Sequence, residues 1–165
     1  MKALPTLTAA LAISLLGQAT LAADDPMTIS VKRLTLASAQ QVAQGAIEAC
    51  RDKGIQIGVT VVDRDGVIQA QLRDTIAAPI TVPISYKKAY TAANFNAATS
   101  ALESRADTGV GRQPFLIMSA GGLTIEAGGT LLGAVGVSGA PSGETDEACA
   151  RAGIAAIQDD LELSL

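Results

Sequence analysis

The chain has 165 residues, with 12 Lys and Arg against 16 Asp and Glu, a net charge of −4, and no histidine. That balance argues against a polyanion partner, which needs a clustered cationic surface, and two Phe, two Tyr and no Trp leave little for stacking on bases. The missing histidine removes His-based catalytic triads, His-ligated zinc and His-ligated haem together.

The N-terminus reads Met1-Lys2, an apolar run from Ala3 to Leu16, and small residues to Ala23 before Asp24-Asp25. A positive start, an apolar stretch and a small-residue cleavage site are the parts of a secretory signal. Pro5 interrupts the run, which falls short of the ~20 apolar residues a membrane span requires. The expected organisation is a signal peptide over 1–22, cut after Ala22 or Ala23 with Ala19 as the other option. A lead-in over 23–34 and one domain over 35–165 follow, placing the mature protein in the periplasm or outside the cell with no membrane span.

From Leu36, the residues Ala39, Val42, Ala43, Ala46, Ile47 and Cys50 recur at helical spacing, with Thr35 or Ser38 as cap and Gly54 as stop. Ile57 to Val62 is β-branched, Arg64-Asp65-Gly66 carries a hairpin signal, and Val67 to Leu72 returns. Asp74 to Pro83 reads as a loop, and Ser85 opens a helix ending near Asn94 or Asn96. Ser100 with Glu103 fits a capping box. Phe115 to Ser119, Leu123 to Ala127 and Thr130 to Val137 read as strands punctuated by Gly121-Gly122 and Gly128-Gly129. A last helix, capped by Ser142 or Thr145, runs to about Leu161. The expected fold is α+β: a five-stranded, mostly antiparallel sheet flanked by helices.

Cys50 and Cys149 fall on small-residue faces of the first and last helices. They are either a disulfide, as an exporting compartment permits, or two buried thiols that never meet. Gly133, Gly136 and Gly139 do not form a dinucleotide fingerprint, because they end a hairpin strand rather than open a βαβ unit. They allow close helix packing, or Gly139 with Ser138, Ser142 and Gly143 forms a pocket rim at a helix start. Lys88 is the candidate inward-facing charge, partnered by Asp63 or Asp146, with Tyr90 and Thr91 offering hydroxyls beside it.

Several blocks in order carry a family resemblance: Val59 to Gly66, Lys87 to Ala92, Phe95 to Leu102, Ala120 to Gly122, Gly133 to Gly143, and Asp146 to Gly153. Over about residues 34 to 158 the chain resembles the GlcG/HbpS-type family, also called the haem-degrading or DUF336 domain. The resemblance implies an antiparallel sheet flanked by helices, assembly into homo-oligomers, and haem as the cofactor to consider. It also implies contacts that this chain lacks. The family's haem-contacting threonine aligns with Leu116, and its Glu-x-x-Glu iron motif falls on Pro83 and Tyr86. Tyr86, Tyr90, Met118 or a cysteine are the side chains left to reach a haem iron. The leading expectation is an exported small-ligand-binding protein, haem among its ligands, with Lys88, Asp63, Tyr86, Tyr90, Thr91, Ser138, Gly139, Ser142 and Asp146 as candidate contacts. The alternatives are an enzyme or accessory for a small organic acid, built on Lys88, Asp63 and Asp146, and a structural partner of another exported protein.

Overall fold

The computed structural model describes residues 26–164, so the expected signal segment lies outside the described residues. Chain contacts divide at Ser30, and the fold below is that of Val31 onward. Among the described residues no helix is long and apolar enough to cross a membrane.

Helix α1 spans Leu36–Arg51 and buries the stripe Ala39, Val42, Ala43, Ala46, Ile47 and Cys50. Thr35 supplies the cap, its hydroxyl accepting from the Ser38 N–H at 3.2 Å. Gly54 follows at φ +73°, a left-handed position that suits glycine. Strands β1 (Gly58–Asp63) and β2 (Ile68–Arg73) form the first hairpin, and β3 (Gly122–Ala127) and β4 (Thr130–Ser138) the second. The sheet order is β2-β1-β4-β3, with every neighbouring pair antiparallel.

Among the described residues the sheet thus has four strands rather than five. Phe115 to Ser119 is not a strand, because its neighbourhood satisfies its backbone by other means. The Ile117 N–H goes to the Thr91 hydroxyl at 3.0 Å, and the Ala120 N–H to Glu103 Oε1 at 3.1 Å. Gly121, at φ +122°, then swings the chain into β3. Glu103 is drawn off to Ala120, so the expected capping box with Ser100 does not form. The segment Thr99–Arg105 is instead a short 3-10 helix with Ala98 at its cap position.

Two further boundaries differ. Helix α2 spans Thr81–Phe95 and starts four residues before Ser85. Pro83 sits in its first turn, where a missing N–H leaves no bond unmade. The last helix is two pieces, α3 (Gly143–Ala155), capped by Ser142, and α4 (Gln158–Leu163). The break falls at Ile157, which leaves helical geometry at φ −126° and is buried against the core.

Side-chain alternation gives the sheet two different faces. Val59, Val61, Leu123, Ile125, Val135 and Val137 point to the main core shared with α1 and α3. The opposite face carries Gly58, Thr60, Val62, Ala134, Gly136 and Gly122, and α2 lies on it. Three glycines form the track for that helix. A Cβ on Gly58 would sit 2.5 Å from Thr81 Oγ1, one on Gly136 2.0 Å from the Ser85 carbonyl, and one on Gly122 2.5 Å from the Lys88 carbonyl. The only buried polar contact across this seam that needs a side-chain partner on both sides is Thr60 with Ser85, hydroxyl to hydroxyl at 2.8 Å, among the described residues.

On the other side, α1 and α3 approach through Gly45 and Gly153, where a Cβ on Gly153 would lie 2.4 Å from the Val42 carbonyl. That closeness brings the Cys50 and Cys149 Cα atoms to 5.6 Å, and the two residues form a disulfide. Of the two readings open in the sequence, the structure has the bridge.

Two outcomes follow from this packing. The Cys50→Ala/Cys149→Ala double variant should lose about 2–4 kcal/mol of unfolding free energy in urea, because the cross-link closes a loop with a sequence separation of 99. Gly136→Ala should cost ~3 kcal/mol, since its methyl meets helix backbone rather than a flexible side chain. Gly109→Ala, with open space around it, should be near neutral by the same measurement.

Candidate functional site

The close seat of α2 carries Lys88 inward. Its Nζ donates to Asp146 Oδ2 at 2.8 Å, and both residues are buried. Asp146 stands in the first turn of α3, and its Oδ1 accepts from the Ala140 N–H at 2.9 Å. One carboxylate therefore joins α2, α3 and the β4–α3 loop. Burial pushes the Asp146 carboxyl above its usual range, while Lys88 and the Ala140 N–H act in the opposite direction.

Of the two partners open to Lys88 in the sequence, the structure brings it to Asp146. Asp63 lies toward the other end of the sheet, opposite Gly133, whereas Ser138 lies opposite Gly58. Asp63 is also occupied: Oδ1 accepts from the Asp65 and Val67 N–H groups at 2.9 and 3.0 Å, and Oδ2 binds Arg33. A turn that needs its backbone N–H groups satisfied has taken the carboxylate. The three-residue cluster of Lys88, Asp63 and Asp146 does not assemble.

Beside the Lys88–Asp146 pair is a cleft of about 510 Å³, where the end of β4 meets the start of α2. Ser138, Gly139 and Asp146 line it on one side, and Gln56, Ile76 and Ile80 on the other. Gly139 is at φ +130°, and a Cβ there would press to 3.0 Å from the Gln56 carbonyl. The cleft is held open by hydrogen bonds in its own walls. Gln56 Oε1 accepts from the Ile76 N–H at 2.6 Å, and the Thr81 hydroxyl donates to the Ala78 carbonyl at 2.7 Å. Its volume lies within the range of small-molecule sites.

The remaining candidates have structural work. Ser142 Oγ accepts from the Thr145 N–H and caps α3. Thr91 is fully buried, donates to the Lys87 carbonyl at 2.7 Å and accepts from the Ile117 N–H. Tyr86 and Tyr90 meet edge to face at 5.9 Å, and the Tyr90 ring lies over Gly66 in the β1–β2 turn. Met118 is buried.

These positions bear on haem. The cleft lining holds no imidazole, phenol, thioether or thiol, so an iron seated there would find no side-chain axial ligand. It also holds no Lys or Arg for propionate groups, and both cysteines are tied in the disulfide. The cleft residues do not fit haem.

Sequence reasoning named Ser138, Gly139 and Asp146 but missed Gln56, Ile76 and Ile80. Exposed isoleucines flanking Ala77-Ala78-Pro79 were the available signal. Their neighbours across the cleft, Ser138 to Asp146, come from a distant part of the chain, and no local pattern announces that. The bidentate pair of Arg51 with buried Asp74, at 2.7 and 2.6 Å, was also unread. The Arg51 guanidinium holds the Asp74 carboxyl below its usual range.

A family model described as haem degrading protein HbpS-like matches residues 34–155. Among solved structures, a double mutant of HbpS from Streptomyces reticuli is 35% identical with a TM-score of 0.75, over 90% of this chain and 97% of that one. The DUF336 protein ORFY of Klebsiella pneumoniae is 27% identical with a TM-score of 0.74, over 80% and 95%. A PduOC:heme complex is 27% identical with a TM-score of 0.71, over 76% and 95%. No curated protein matches.

Removing one partner of the buried pair gives a directional test. Lys88→Met should cost about 3–5 kcal/mol near neutral pH, because Asp146 is left buried and charged. The lone carboxyl is then raised further in the folded state, so its favourable contribution is present below the unfolded carboxyl value and lost as pH rises through the folded one. The deficit against wild type should therefore shrink on acidification. Urea unfolding at neutral and mildly acidic pH checks this, and Lys88→Met/Asp146→Leu should recover most of the loss.

Proposed function

The chain belongs to the HbpS-like family, and we propose that it is an exported, non-catalytic binding protein that holds a small ligand in the cleft between β4 and α2. The observation that carries this reading is convergence. Ser138, Gly139 and Asp146 meet there against Gln56, Ile76 and Ile80 from a distant part of the chain. Sites of this kind are concave, mostly preformed and furnished with few polar groups.

Export is supported by the N-terminal pattern of Lys2, an apolar run and small residues. The buried Cys50–Cys149 bridge agrees with it, since disulfides persist in oxidising compartments. Homo-oligomeric assembly, which the family resemblance implies, belongs to the same proposal, and Phe115 offers it an exposed apolar side chain. An enzyme for a small organic acid is the poorer reading, because Asp63 is committed to its own turn and to Arg33.

The heme of the PduOC complex is a property of that relative. In this chain the ligand is held by shape and hydrogen bonds rather than through an iron. Hemin titrated into stoichiometric protein should leave its Soret band that of free hemin. Native mass spectrometry of protein taken from the periplasm should show a non-haem adduct, absent from a cleft-filling Ala78→Trp variant. A shifted Soret band at one equivalent, or an adduct indifferent to Ala78→Trp, would overturn the assignment.

A further inference from the structure

The segment ahead of α1 carries a strand pattern and forms no strand in its own chain. Met27, Ile29 and Val31 alternate with Thr28, Ser30 and Lys32, the period of a half-buried strand. Yet the stretch lies outside the helices and strands, and all three of its apolar residues are exposed.

The sheet, meanwhile, has one edge closed and one open. At β3 the Gly122 N–H goes to the Thr99 hydroxyl at 2.8 Å, and the Glu126 carbonyl accepts from the Gln158 amide at 3.1 Å. At the other end of the order stands β2. The Asp74 N–H donates to the Ile57 carbonyl, so by antiparallel alternation Leu72 and Ala70 turn their backbone groups to β1, and Gln71 and Arg73 turn theirs outward. Among the described residues no strand lies beyond them. Beside Leu72, against α1, runs a groove of about 530 Å³ whose lining of Ala37, Gln40, Gln41, Gln44 and Leu72 carries no charge. An open edge next to an uncharged groove suits strand addition, in which main-chain bonds hold the incoming strand and alternate side chains fill the groove.

We infer that residues 27–32 of a second copy add to the β2 edge as a fifth strand, with Met27, Ile29 and Val31 in the groove beside α1 and Thr28, Ser30 and Lys32 on the other face. The segment has six residues, as many as β2. Its root argues for a second copy rather than its own edge. The Leu34 carbonyl accepts from the Gln69 amide at 2.9 Å, at the start of β2, while Arg33 binds Asp63 and Asp65 at the β1–β2 turn. From Leu34 to Arg33 the chain therefore heads toward the turn end of the hairpin, and to cover its own β2 it would have to reverse there. A two-fold exchange gives each β2 the other copy's arm and closes both edges. The inference rests on the homo-oligomeric part of the reading above and names its interface.

Sedimentation over a concentration series, with amide hydrogen exchange, tests this on protein taken from the periplasm. The Gln71 and Arg73 amides should be protected where the protein is associated and open on dilution to the monomer, while Leu72 stays protected throughout as the sign of an intact fold. Ile29→Asp/Val31→Asp should raise the dissociation constant at least about 10-fold and open Gln71 and Arg73. Thr28→Asp/Ser30→Asp puts the same two charges on the other side of the arm and should do neither; equal weakening by both variants overturns the placement in the groove. Protection of Gln71 and Arg73 that survives in the monomer shows the arm on its own edge and overturns the exchange. Association that leaves those amides open, or that is indifferent to Ile29→Asp/Val31→Asp, overturns this interface and leaves the homo-oligomeric reading standing. A monomer at every concentration overturns both.

Discussion

Helix α2 lies on the sheet almost backbone to backbone, and the rest of the molecule is arranged around that approach. Gly58, Gly136 and Gly122 sit on three adjacent strands and meet Thr81, Ser85 and Lys88 along the helix. Any Cβ at these positions would come within 2.5 Å of the helix, a separation no packing adjustment absorbs without moving an element. Because the helix is so low, the long Lys88 side chain travels beneath it to Asp146 instead of ending in solvent. Because the helix starts over Gly58, its first turn also faces the end of β4. Both the buried ion pair and the cleft are consequences of one seam.

The two faces of the sheet are held by different chemistry. The α1–α3 face is branched aliphatic, with a disulfide where two small-residue stripes meet. The α2 face has little apolar volume, and it relies on close contact, the Thr60–Ser85 hydrogen bond and the Lys88–Asp146 pair. Buried ion pairs contribute modestly to net stability but penalise the loss of either partner. Such a pair fixes where α3 begins relative to α2, and hence where the cleft opens. A site formed at the junction of several elements gains its precision from them, and here the carboxylate that sets the junction is also in the wall.

Kinship to haem proteins does not by itself furnish the cleft for haem. The fold is shared with relatives of 27% to 37% identity along most of their length. What differs is the set of side chains at the points of contact. Histidine is absent, both cysteines are bridged, and the rings of Tyr86 and Tyr90 pack on each other, with Tyr90 over Gly66. Fold carries the architecture, and the site must be argued from its own residues.

Local pattern was enough for much of this. The period of Ala39, Val42, Ala43, Ala46 and Ile47 wrote α1, and Asp65-Gly66 and Gly128-Gly129 wrote the hairpins, because helix spacing and turn geometry depend on neighbours in sequence. It was also enough to mark Lys88 as inward-facing and Cys50 and Cys149 as lying on small-residue stripes. Tertiary structure decided the rest. Whether Phe115 to Ser119 became a strand depended on Thr91 taking the Ile117 N–H and Glu103 that of Ala120 just beyond it. Whether Lys88 met Asp63 or Asp146 depended on which carboxylate a turn had already claimed. The cleft itself joins Gln56, Ile76 and Ile80 to Ser138 and Asp146, and contacts across such separations exist only once the chain has closed on itself.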